Sequence, residues 1–279
     1  MALTSIFITV GCEKMNLYLR LIKNSFKTQM SFRADFVLET LFSFLWLMLS
    51  INIWTALYSA RSEQSIVEIG LKEQIVYSIV AVIVKSLTTC NVMNELNDMV
   101  LNGEISQRLL LPLGFRKHLF FQTVSNNIFL FIYSAIPPVV IAVLIYQIHF
   151  ICDIQNLLIC VLSVILSYTL NFFLNFVLGL TVFWFRNAFF LSWMTSAFFS
   201  LFSGSFVPVW FFPQWLNKVS LFIPYRYIVF EPTAILLGRY DISTSLKIVI
   251  VQLIWIVILY VIGEIIWRIG RKKLMVQGG

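Results

Sequence analysis

The groups from which this 279-residue chain could build a catalytic centre are few: two histidines, four cysteines and 13 acidic residues. Neither His118 nor His149 has a carboxylate at metal-ligand spacing, and no HExxH occurs. Cys12, Cys90, Cys152 and Cys160 form no CxxC pair and lie in or beside apolar runs, where a thiol serves as a small packing group. There is no GxSxG nucleophile turn. None of the 11 glycines opens a GxxxxGK(S/T) phosphate cradle. The chain therefore carries no nucleotide-hydrolysing site of that type, and neither a metal nor a cofactor is expected in it. Any work it performs must draw on an ion gradient or on a partner.

The remaining polar groups fall in four places. Lys85 is an ionisable residue inside a long apolar run. Charges within a membrane mark ion or substrate paths, but a lysine stem also snorkels toward the interface, and both readings stand. Ser163, Ser167, Asn171, Asn175 and Gly179 recur every four residues, as do Ser192, Ser196, Ser200 and Gly204. Such ladders put small residues on one helix face, which suits close packing within a subunit, a path lining or a subunit interface. Asn171 and Asn175 are the costly members, because an amide facing lipid has no partner. Arg226 and Glu231, five apart, are placed to pair. On an open surface that pair is worth little; in a segment dipping into the membrane it becomes a candidate outer gate. The last place is "NELNDMVLNGEISQRLLLPL", residues 94–113, which starts helically, breaks at Asn102-Gly103 and resumes until Pro112. Glu95, Asp98 and Glu104 are opposed there only by Arg108. A structured polar element suits docking of a soluble partner; the rival is an ordinary solvated loop.

The elements that hold these groups are lipid-embedded helices. Charged residues are 12 % of the chain, against about 25 % in soluble domains, and Phe alone contributes 27 residues. A span needs about 20 apolar residues, and six runs qualify: 35–58, 71–93, 118–147, 154–184, 188–206 and 246–267. Pro137-Pro138 must bend the third. With the N terminus inside, 13 of the 20 Lys and Arg fall on inner segments, as the positive-inside rule requires. That orientation also accounts for the net charge of +7 without nucleic acid. Both termini and the loop 94–117 are then cytoplasmic.

Residues 15–33 space Met15, Leu19, Ile22, Phe26 and Met30 along one face beside a basic one, which predicts a flat interfacial helix. Residues 1–14 are an extension. Its Gly11-Cys12 lacks the basic flank of a cleaved signal, and Met15 is an alternative start. Residues 207–245 are too apolar for water and too broken by Pro208, Pro213, Pro224 and Pro232 for one crossing. They are expected to form a re-entrant helical hairpin at the outer mouth. The basic tail occupies 268–279. The expected fold is an all-α integral membrane protein, with 34–267 as a six-span domain.

In this order the features resemble an ATP-binding-cassette type-2 exporter permease. "MVLNGEISQRLLLPLGF" is similar to that family's segment between spans two and three. "FVPVWFFPQWLNKVSLFIPYRYIVFEPTAILLG" is similar to its segment before the last span, and "NSFKTQMSFRADFVLETL" to its approach to span one. The resemblance runs from Met15 onward. It implies a dimer of permease subunits, identical or related, on two separate ATPase chains that bind ATP and Mg. Carried over, Asn97, Asp98, Gly103, Glu104, Arg108 and Pro112 become the coupling segment that meets the ATPase, the flat N-terminal helix contributes to that contact, and spans one, two and five face the central path. The location implied is a bacterial cell membrane. The function expected is export of an amphiphilic or hydrophobic compound (drug, antibiotic, peptide or lipid-like). The alternative is an ion-gradient-driven carrier or channel acting alone through Lys85. A membrane-embedded enzyme comes third, disfavoured by the missing catalytic groups.

Overall fold

A computed structural model describes residues 33–60, 69–104, 115–148, 153–184 and 189–277. The expected interfacial helix at 15–33, apart from Arg33 itself, lies outside them, along with Arg108 and Pro112. Among the described residues 85 % are helical and none is in a strand. The helices are α1 (Arg33–Ser59), α2 (Leu71–Thr88), α3 (Val92–Leu101), α4 (Phe115–Leu130), α5 (Ile136–Tyr146), α6 (Ile154–Gly179), α7 (Phe189–Phe202), α8 (Gln214–Ser220), α9 (Phe230–Leu236) and α10 (Ile242–Gln277).

Among the described residues five stretches are long and apolar enough to cross a bilayer: Val37–Ser59, Leu71–Leu101, Phe115–Tyr146, Ile154–Phe183 and Ile242–Gly270. A sixth is reached only if α8 and the following Pro224–Leu236, bent by 78°, count together. The expected fifth span, 188–206, is instead α7 with 14 residues, about 21 Å at 1.5 Å per residue against a hydrocarbon core of about 30 Å. Tertiary partners end it. The Phe230 amide donates to Ser203 O at 2.9 Å and the Tyr77 hydroxyl to Gly204 O at 2.7 Å, so the chain is drawn out of the helix toward the hairpin. The last helix departs the other way, running 36 residues through what the sequence reading sets apart as a tail.

The third span carries a local irregularity just before its prolines. Pro137 has no amide to give the carbonyl four residues back, that of Tyr133. Phe131–Ala135 widens into a single π turn there, and Thr40 of α1 donates its hydroxyl to Tyr133 O at 3.0 Å. Ser43 and Ser134 pair at 2.7 Å one turn further along α1. The freed backbone group is thus satisfied by a neighbouring helix, as a non-aqueous solvent demands.

The α6 helix is the central post, packed against α10, α9, α3 and α2. Its four-residue ladder meets a different element at each rung. The Ser163 hydroxyl donates to Gln252 Oε1 on α10 at 3.1 Å, and that of Ser167 to Tyr227 O in the hairpin at 2.8 Å. Gln252 returns its amide to Ser167 Oγ and Tyr227 O, both at 2.9 Å. Asn171 donates to Thr88 O at the end of α2 at 2.7 Å. At Gly179 a Cβ would stand 2.7 Å from Leu96 Cδ1 and 3.0 Å from Met93 Cα. Small and polar side chains on this face let four elements approach one helix with their polar groups paired.

Candidate functional site

The second span does not run straight to residue 93. The α2 helix stops at Thr88, three residues pass, and α3 begins at Val92. Neither Pro nor Gly occupies the break. What holds it open is outside help for the carbonyls that a helix end leaves unpaired. Leu87 O accepts from Asn127 of α4 at 2.9 Å, and Thr88 O from Asn171. The Thr89 amide and hydroxyl both donate to Lys85 O, at 2.9 and 2.7 Å.

Beyond the break, α3 is amphipathic. Val92, Met93, Leu96 and Met99 are buried, spaced three and four apart so that they form one stripe. The stripe packs against Phe172 and Phe176 of α6, Leu180 just after it, and Phe115 and Leu119 of α4. Asn94 and Asp98 are exposed and Asn97 is half-buried. The hydroxyl of Ser192 on α7 donates to Asn94 Oδ1 at 2.6 Å. Four exposed residues close the helix: Leu101, Asn102, Gly103 and Glu104. Gly103 has φ +73°, and its amide donates to Val100 O at 3.3 Å. This is a left-handed C-terminal cap, a conformation that glycine adopts without strain. Beside it Arg116 bonds Glu264 at 2.7 Å, and Arg268 bonds the other oxygen of the same carboxylate at 3.0 Å. The Arg116 guanidinium also sits 5.1 Å from the rings of Phe176 and Tyr260. The signal for this cluster in the sequence is the spacing of four between Glu264 and Arg268.

The other sequence-selected residues are dispersed. Asn171 and Asn175 lie inside the packing of this one chain, where Asn175 donates to both Asn171 O at 3.0 Å and Asn171 Oδ1 at 2.9 Å. On α7, Ser196 and Ser200 are exposed and Ser192 is turned to α3. Lys85 stands with its Nζ 5.9 Å from the centre of the Trp46 ring on α1.

At the far end, Arg226 and Glu231 do pair, Nε to Oε1 at 2.6 Å, with side chains only 9 % and 3 % exposed. Arg226 also donates to Asn217 Oδ1 at 2.6 Å and Ser220 Oγ at 2.8 Å. The guanidinium thereby locks α8 to the turn Pro224–Tyr227 and to α9. Among the described residues no three His, Cys, Asp or Glu side chains come together as a metal site.

Among the described residues the bundle thus has apolar helices long enough to span, a short amphipathic helix following the break in the second of them, and a helical pair bent by 78°. A family model described as "ABC-2 family transporter protein" matches residues 44–278. No curated protein matches the chain. The matched region starts within α1 and takes in every later element described above, so the chain belongs to the ABC-2 family of transporter membrane proteins.

Proposed function

We propose that this chain is the permease subunit of an ATP-driven exporter and that residues 95–113 receive the stroke of a separate ATPase. The observation that carries the reading is the seating of α3. Its apolar stripe is fixed to α6 and α4, while Asp98, Asn94 and the cap through Glu104 stay outward. A helix held this way passes a push on its polar face directly to the central post. Asn97, Asp98, Gly103 and Glu104 form the near part of the docking surface, and Arg108 and Pro112 continue it. Two ATPase chains supply the ATP and Mg site that this sequence lacks.

The permease works as a pair with an identical or related chain. Exposed apolar residues on α1 and α7, such as Phe42 at 67 % and Phe190 at 73 %, support a second subunit or lipid against those faces. Both termini and α3 are on the cytoplasmic side of a bacterial cell membrane. The segment 207–245 dips into the outer leaflet, and the Arg226–Glu231 pair stabilises it as the gate. Cargo is amphiphilic or hydrophobic. Cells overproducing the complete complex should extrude compounds of that class faster than cells without it, and a flat profile across the class defeats the reading. A gradient-driven carrier is distinguished by Gly103→Pro: an exporter loses transport while still inserting, whereas a self-sufficient carrier is unaffected.

A further inference from the structure

Between α1, α2 and the π turn lies a cleft of about 720 Å³, within the range of about 300–1,000 Å³ usual for small-molecule sites. Leu38, Phe42 and Trp46 of α1 form an apolar wall, and Lys85 of α2 is set opposite with Ser134 behind it. Lys85 is 14 residues past the start of α2, about 21 Å along the helix. Its ammonium makes no hydrogen bond or ion pair among the described residues; its one contact of charge type is the Trp46 ring. A cation in that position is costly in a membrane, and a single aromatic face offsets only part of the cost.

The hydrogen-bond inventory fixes the sign of what fits. Ser86 and Thr89 spend their hydroxyl hydrogens on Ile83 O at 2.8 Å and Lys85 O at 2.7 Å. In the Ser43–Ser134 pair one hydroxyl donates to the other, so one O–H remains for an acceptor. The cleft therefore offers an ammonium and a spare hydroxyl donor. The acid of the lining, Glu39, is seven residues before Trp46 on α1, about 10 Å along the axis from the ring that faces the Lys85 ammonium.

We propose that this cleft binds an anionic amphiphile, with its carboxylate or phosphate on the Lys85 ammonium and its acyl chain along Leu38, Phe42 and Trp46. Two sources have this chemistry, a resident anionic lipid and an exported acid. The site stands on the cleft alone and needs no ATPase, so its failure and failure of the export reading are separable.

The test uses the purified full chain in phosphatidylcholine nanodiscs, titrated with 9,10-dibromostearate, whose bromines quench nearby indoles. The chain has eight tryptophans, so the Trp46 signal is taken as the difference between wild type and Trp46→Phe. The expected result is saturable quenching of Trp46 that Lys85→Gln weakens roughly tenfold or more, the size of a lost charge-assisted hydrogen bond, and that Lys85→Arg keeps within about threefold. Lys85→Gln removes a half-buried charge and should fold; Lys85→Arg shows that the cleft survives substitution. The uncharged analogue 9,10-dibromostearyl alcohol should give no saturable component. Equal binding of the alcohol, or an unchanged curve for Lys85→Gln, overturns the proposal. A dibrominated phosphatidylglycerol that competes with the stearate and stays bound identifies a lipid site. Stearate that binds while phosphatidylglycerol does not identifies a free-acid site.

Discussion

Gly103 offers the cleanest perturbation of the proposed docking element. Its φ of +73° lies in the left-handed region, and among the described residues no atom stands within 4 Å of the place where a Cβ would be. A substitution there strains the backbone without creating a packing clash. An L-residue held in that region costs about 1–2 kcal/mol, so Gly103→Ala should depopulate the capped conformation roughly 5- to 30-fold. Asn enters the left-handed region more readily, so Gly103→Asn should be milder. Proline fixes φ near −65°, about 140° away, and removes the amide that bonds Val100 O. Its effect should be the largest. The assay is the amount of ATPase chain retained per permease chain on gentle purification, with efflux in the same cells. The expected order is Gly, Asn, Ala, Pro, with similar permease levels in the membrane throughout. Equal retention and efflux for all four would refute the idea that this turn shapes the docking surface.

Other expectations follow from the packing. Gly179→Leu wedges α3 off α6, since even a Cβ comes within 2.7 Å of Leu96; it should destabilise by about 1–3 kcal/mol and uncouple ATP hydrolysis from efflux while the ATPase stays bound. Asn171→Leu leaves Thr88 O without its donor, while Asn175 loses its bond to Asn171 Oδ1 and keeps the one to Asn171 O; it should cost about 1–3 kcal/mol, read as a lower midpoint in thermal unfolding of the detergent-solubilised protein. Arg226→Met strands the buried Glu231 carboxylate and should cost about 3–5 kcal/mol, whereas Arg226→Met with Glu231→Leu recovers much of the loss; a double variant no more stable than the single one contradicts that account. At the start of α10, hydrogen bonds from Thr244 and then Ser243 hold the Asp241 carboxylate below its ordinary pKa. A depressed carboxylate stabilises the native state above its unfolded pKa and loses that contribution as pH falls through its folded value. Protection factors of the amides at 242–245, which correct for the slower intrinsic exchange in acid, should therefore fall as the pH drops, and unchanged protection would remove Asp241 from the start of the helix.

The parts legible in the sequence were those carried by local pattern. Apolar run length located α1, α6 and the body of α10, and Pro137-Pro138 marked the place of the π turn. The spacing of Arg226 and Glu231 allowed their pair, and Asn102-Gly103 marked the end of α3. What escaped depends on partners distant in the chain. The α2–α3 break contains only Thr89, Cys90 and Asn91, and it exists because Asn127 and Asn171 supply donors 40 and 83 residues away. The α7 helix ends at Phe202, and Phe230 and Tyr77 claim the two carbonyls that follow it, those of Ser203 and Gly204. The ladder on α6 was visible as a spacing of four, but spacing alone does not say whether such a face meets cargo, another subunit or its own chain. At Ser163, Ser167 and Asn171 it meets α10, the hairpin and α2.

The central claim is that an external motor drives this permease through the segment beginning at α3. The most direct test is to extract the chain gently from its own membranes and measure what co-purifies in stoichiometric amount. The account predicts a soluble ATPase at one chain per permease chain, lost when residues 97–112 are scrambled while the permease still inserts. A chain that purifies without an ATPase and moves cargo in liposomes under an ion gradient alone would contradict it.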